Sequence, residues 1–324
     1  MNETPSNGVA TSAAAASSAD TADAADAAAA SPDYVSYICL AFMAMAFGST
    51  FLFQRIALEG MSALEAGSFR IIFGAAFLLP ATFIARQPLP KTARLWSWAA
   101  FNGLVGIFVP FNMTMWALIY VPTSIAATIY SVIPLIVLAL SRLFLGVYIS
   151  KRKWIGLLLG AVGLMVLTLL GDSPAQLLQG DLLPKFAILV SAMLIAISGI
   201  AIRQMPKSPP ISAMAAAVSI GALASIVALS ILGWSESIST QALIAIAAAG
   251  LISTAMGQTV RFFLLRRRGP VFVAPNAYLA AFVATVLGVL FLAEPITYAL
   301  VIGFIVILLG LVVAQDGTGN MTSV

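Results

Sequence analysis

The chain has 324 residues, 61% of them hydrophobic and only 9% charged, with a mean hydropathy of +1.04 and a formal charge of +4. A soluble domain needs roughly a quarter of its residues charged to cover its surface, so this composition excludes an ordinary water-soluble protein and predicts an integral membrane protein. A single cysteine, Cys39, and no histidine exclude an internal disulfide, zinc or haem ligation and histidine-based catalysis, and without paired acids no metal, no cofactor and no enzyme activity is expected.

Residues 1–33 are dominated by Ala, Ser, Thr and Asp and hold no Lys or Arg. They lack both the cationic start and the apolar centre of a signal peptide, and are expected to form a disordered tail. A helix needs about 20 mostly apolar residues to cross the hydrocarbon core. Polar punctuation separates ten such runs, near 34–54, 63–85, 95–118, 122–146, 153–170, 183–203, 210–232, 240–264, 270–293 and 295–314, with a short tail over 315–324. The turns after the even-numbered runs collect Arg86, Lys91 and Arg94; Lys151, Arg152 and Lys153; Arg203 and Lys207; and Arg266, Arg267 and Arg268, whereas the opposite turns hold only Arg55 and Lys185. This positive-inside bias predicts a multi-pass protein of the cell (inner) membrane with both termini cytoplasmic. It also accounts for the net positive charge, so no nucleic-acid partner is expected.

The chain repeats itself. Gly103 falls on Gly250, an offset of 147 residues, and at the same offset Ala127 meets Ala274, LFL at 143–145 meets LFL at 290–292, and Gly156 and Gly163 meet Gly303 and Gly310. At about 29 residues per helix and turn the offset spans five helices, and an odd number inverts the second copy relative to the first. The charges follow: Lys151, Arg152 and Lys153 map onto Tyr298, Ala299 and Leu300, and Ile119, Tyr120 and Val121 onto Arg266, Arg267 and Arg268. The predicted architecture is therefore all-α, ten transmembrane helices arranged as two inverted five-helix repeats, 34–170 and 183–314.

The second copy carries AEPIT at 293–297 followed by Gly303 and Gly310, and the first carries GVYIS at 146–150 followed by Gly156 and Gly163, without the Glu and Pro. In these motifs, in AFGSTF of the first run and in GSFRIIFGA around Arg70, the chain resembles the EamA-like ten-helix exporters of the drug/metabolite transporter superfamily. The resemblance covers about 34–314. It implies a carrier of small molecules, a small-molecule substrate and the lipid bilayer being its partners, and leaves the substrate open.

Inverted-repeat transporters bind substrate near the midplane between the repeats. Polar and aromatic residues inside the runs are the candidates, because a buried amide or hydroxyl must face protein or a wet cavity. Asn112 and Trp116 oppose Thr259 and Phe263 across the repeat, and Tyr130 opposes Ala277 in a segment that also holds Asn276 and Tyr278. Gln54, Asn112, Trp116, Tyr130, Gln258, Asn276 and Tyr278 are expected to line a central pocket, the alternative being plain interhelical packing.

Pro110, Pro134 and Pro275 are expected to bend the third, fourth and ninth runs. Arg142 and Arg261 are expected to snorkel to the cytoplasmic interface. Arg70 is either structural, paired with Glu59 or Glu65, or a recognition site for a carboxylate. Glu294, at the turn into the tenth run, is a candidate gate or cap. The glycines of the fifth and tenth runs are expected to form a close-packed seam, a candidate homodimer contact. The function expected is export of amino acids or similar small metabolites by alternating access, the alternatives being multidrug efflux, metabolite uptake or a non-transporting membrane scaffold.

Overall fold

In hydrocarbon every backbone N–H and C=O must be bonded within the chain, so an apolar sequence of this kind is driven into helices. The computed structural model describes residues 33–121, 126, 129–130, 132–169, 181–234, 238–292 and 298–314, and among these there is helix and no strand. The helices are α1 (Tyr34–Leu58), α2 (Ala63–Ile84), α3 (Ala93–Gly103), α4 (Val109–Ala117), α5 (Ile133–Leu145), α6 (Lys151–Leu169), α7 (Leu182–Gln204), α8 (Pro210–Leu232), α9 (Thr240–Ala249), α10 (Gln258–Arg267), α11 (Pro270–Val273), α12 (Asn276–Leu292) and α13 (Tyr298–Ala314). Two π-helical stretches, Leu104–Phe108 and Gly250–Gly257, join α3 to α4 and α9 to α10 without a break.

Six helical segments among the described residues are long and apolar enough to cross a membrane: Tyr34–Leu58, Ala63–Ile84, Leu182–Gln204, Pro210–Leu232, Thr240–Arg267 and Pro270–Phe291. Two shorter apolar helices, Ile133–Leu145 and Val301–Ala314, accompany them. Residues 1–32 of the tail expected over 1–33, the tail expected over 315–324, Glu294 and the AEPIT motif lie outside the described residues.

Helix ends follow local chemistry. Ser62 and Glu65 form a reciprocal capping box at the start of α2, with the Ser62 N–H donating to Glu65 Oε2 at 2.6 Å. Gly146 closes α5 in the left-handed region (φ 63°). Pro134 falls in the first turn of α5, where the missing donor is harmless, Pro110 follows the first π stretch inside the continuous run from α3 to α4, and Pro275 lies between α11 and α12.

Residues Ile38–Asp316 form one unit. In the other unit, Met1–Tyr37 with Gly317–Val324, the Asp33 carboxylate accepts from the Ser36 N–H and hydroxyl at the start of α1. Within the larger unit, α2 packs on α8, α6 on α13, α5 on α7, α3 on α8 and α2 on the Gly250–Gly257 stretch. On α1, Gly48 abuts Val283 and Ala280 of α12.

Small residues set these distances. Ala213, Ala215, Ala216 and Ala217 of α8 are buried, and the dispersion gained at such close approach replaces the hydrophobic drive that lipid does not supply. Large apolar side chains such as Phe83, Leu143 and Ile231 point outward instead. The glycine seam joins α6 to α13: a Cβ at Gly163 would lie 2.7 Å from the Ile307 nitrogen and 2.8 Å from the Gly303 oxygen. The close-packed seam expected from sequence is thus formed within the chain between α6 and α13.

Candidate functional site

The site begins at Arg70 on α2. Gly74 and Gly250 let α2 and the second π stretch approach almost backbone to backbone, with a Cβ at Gly250 only 2.9 Å from the Arg70 oxygen. That approach sets two hydroxyls against the guanidinium. Arg70 Nε donates to Thr254 Oγ1 at 3.0 Å and Nη2 donates to Ser253 Oγ at 3.0 Å. Ser253 spends its own proton on the Ala249 carbonyl at 2.7 Å, so a lone pair remains for Arg70. The guanidinium also lies 4.1 Å from the centroid of the Phe111 ring, a cation–π contact. The Glu65 carboxylate, one of the partners expected for Arg70, accepts from the Ser62 N–H at the start of its own helix.

Beside Arg70 the Tyr130 and Thr114 hydroxyls are hydrogen-bonded to each other. Thr114 donates to the Pro110 carbonyl at 2.7 Å, which assigns the Tyr130 proton to Thr114, and Ser191 of α7 donates to the same carbonyl at 3.2 Å. On the far side Arg261 is 8% exposed, not snorkelling to an interface. Its Nη1 donates to Gln258 Oε1 at 3.2 Å and its Nη2 to the Ile195 carbonyl at 2.9 Å, with Gly199 leaving room for the guanidinium. The cause is helix geometry: three residues separate Gln258 from Arg261, so both side chains share one face of α10, and α7 covers that face. Arg142, by contrast, is exposed as expected.

These groups enclose a cavity of about 210 Å³. Met43, Phe47, Thr50, Phe51 and Gln54 of α1 form one wall, Arg70, Phe111, Thr114 and Tyr130 a second, and Gln258, Arg261, Asn276 and Ala280 a third. Four residues expected from sequence to line a pocket, Gln54, Tyr130, Gln258 and Asn276, meet here with Arg70. The Asn276 Oδ1 atom is buried without a hydrogen-bond partner among the described residues. No Asp or Glu lines the cavity among those residues.

Three others stand outside the lining. Asn112 donates to the Phe108 carbonyl at 2.9 Å and packs against Gly67. Trp116 is 37% exposed and meets Tyr120 edge to face at 5.4 Å. Tyr278 is 1% exposed, lies against Gly160 and donates its hydroxyl proton to the Leu157 carbonyl at 2.8 Å, joining α12 to α6. Arg261 was assigned from sequence to the cytoplasmic interface, although a cation inside an apolar run was a usable signal there, and Thr114 and the Ser253–Thr254 pair went unassigned. Thr50 also lines the cavity while its hydroxyl donates back to the Ala46 carbonyl at 3.0 Å. Among the described residues no group of three His, Cys, Asp or Glu side chains is placed to hold a metal.

Comparison with known proteins agrees with a transporter. One solved crystal structure superposes with a TM-score of 0.71, covering 88% of this chain and 98% of its own, at 17% identity, a likeness of fold alone. The uncharacterized inner membrane transporter YedA of Escherichia coli K12 is 26% identical over 246 residues, 74% of this chain and 78% of YedA. PagO of Salmonella typhimurium is 31% identical over 113 residues, 33% of this chain and 36% of PagO. The profile of the EamA-like transporter family matches twice, over 35–169 and 183–314, and with its apolar helices the chain is a multi-pass membrane protein belonging to the EamA-like transporter family.

Proposed function

We propose that this protein exports amino acids or similar small metabolites by alternating access. The observation that carries the reading is the cavity, whose walls come from both family repeats and combine aromatic area with a few polar groups. Ten spans in two inverted repeats are the architecture proposed, with both termini in the cytoplasm. The pairing of helices supports it. Numbered by the ten apolar runs, the second packs on the seventh and the fifth on the tenth; the third packs on the seventh as the eighth does on the second; and the fourth packs on the sixth as the ninth does on the first. Both π stretches, Leu104–Phe108 and Gly250–Gly257, coincide at the 147-residue offset. Rocking one half against the other would expose the cavity to each side in turn.

The candidate binding residues are Gln54, Tyr130, Gln258 and Asn276, with Arg70 as a candidate for carboxylate recognition. Multidrug efflux of lipophilic cations fits poorly, because two guanidinium groups with no lining carboxylate among the described residues would repel them, and about 210 Å³ is small beside the 300–1,000 Å³ common for drug-sized ligands. The test is flux in proteoliposomes loaded with a mixture of amino and organic acids. Wild type should release at least one solute faster than empty liposomes, and alanine at Gln54, Gln258 or Asn276 should raise its apparent KM. Release no faster than from empty liposomes would overturn the reading.

A further inference from the structure

The two buried arginines have no reason to share one small cavity unless something there balances their charge. Arg70 is 4% and Arg261 8% exposed, and both face the same space. All four acceptors they use are neutral: two hydroxyls, one amide oxygen and one backbone carbonyl. Each guanidinium has five N–H donors and commits two of them to the described residues, so among those residues three of each remain. Burying an uncompensated cation is costly, and two in one low-dielectric space raise each other's cost.

We infer that the cavity is a receptor for small organic anions carrying two anionic groups, a dicarboxylate or a phosphorylated acid, with Arg70 taking one group and Arg261 the other. The inference rests on the cavity being the substrate's, as proposed above, and narrows that substrate to net anions. A singly charged or zwitterionic solute would neutralise one guanidinium and leave the other exposed to the same cavity. A planar guanidinium offers paired N–H bonds to a carboxylate or phosphate, a geometry lysine lacks. Phe111 beneath Arg70 and the hydroxyls of Ser253 and Thr254 hold that fork in one orientation, so little side-chain freedom is lost on binding. Tyr130 and the amides of Gln54 and Asn276 complete the lining with groups that can bond the ligand's neutral parts.

The test uses the full-length protein purified in detergent, with its thermal midpoint followed against succinate, phosphate and succinamide at constant ionic strength in chloride. Succinamide has the size of succinate without its charges. The expected result is a saturable rise of several degrees with succinate, a smaller one with phosphate, which offers a single group, and none with succinamide. In R70Q and in R261Q the concentration for half-maximal rise should increase at least tenfold, while R142Q, at an exposed arginine, behaves as wild type. The wild-type contrast decides even where a glutamine variant fails to fold. A saturable rise with succinamide equal to that with succinate, a response unchanged in R70Q and R261Q, or no saturable response to succinate would overturn the inference. Anion binding by a protein that moves no solute in proteoliposomes would defeat the transport reading alone, and transport of neutral amino acids without an anion response would defeat this one alone.

Discussion

Residues of one chemical type take opposite duties here, and their neighbours decide which. Tyr130 and Tyr278 are both buried aromatic alcohols, yet Tyr130 lines the cavity and Tyr278 is a strut between α12 and α6. Tyr278→Phe should lower stability by about 1 kcal/mol, the usual worth of a hydrogen bond, and leave the apparent KM of any transported solute unchanged; a thermal melt paired with flux measurements checks both halves. The support beneath Arg70 behaves differently. Thr254→Val deletes an acceptor from a buried guanidinium, and an unsatisfied buried donor costs about 1–3 kcal/mol. The expected result is a lower melting temperature together with weaker binding of anions, because the fork loses its fixed orientation. Candidate residues such as Gln54 and Asn276 were readable from sequence as amides inside apolar runs. Nothing in the sequence separated them from Asn112, whose amide turns back to its own helix and packs on Gly67.

Among the elements, the two π stretches matter most to the site. A π-helical segment is rare and marks functional positions more often than chance, and the second one carries both hydroxyls that hold Arg70. Neither stretch has a sequence signature that would announce it. The glycine seam is the opposite case, since its spacing was legible and only its partner was not. Gly163→Leu would drive a side chain into the α13 backbone around Ile307 and Gly303. Overpacking of this kind costs about 1–3 kcal/mol, and the loss should appear as a lower melting temperature with the affinity of the remaining folded protein unaltered. At the end of α7, Arg266 of α10 donates to the carbonyls of Arg203, at 3.1 Å, and Met205, so a cation of a turn expected to face the cytoplasm also caps a helix.

At the scale of the molecule, the Lys and Arg turns predict orientation. A fluorescent protein fused to the C-terminus should fluoresce, and alkaline phosphatase at the same place should be inactive; the reverse pattern would invert the proposed topology. Composition by itself determined that this is a membrane protein, because a chain with so few charges cannot be covered in water. The 147-residue self-match, with its glycines and alternating cations, predicted a duplicated helical architecture, and the family profile falls on the same two stretches. These are properties of local sequence and its periodicity, and need no knowledge of what touches what. Which polar residues converge on one cavity was decided only in three dimensions. The choice depends on how each helix is rotated about its axis and which neighbour covers it. Arg261 faces inward because α7 covers its side of α10, and Tyr278 leaves the site because Gly160 makes room for its ring elsewhere.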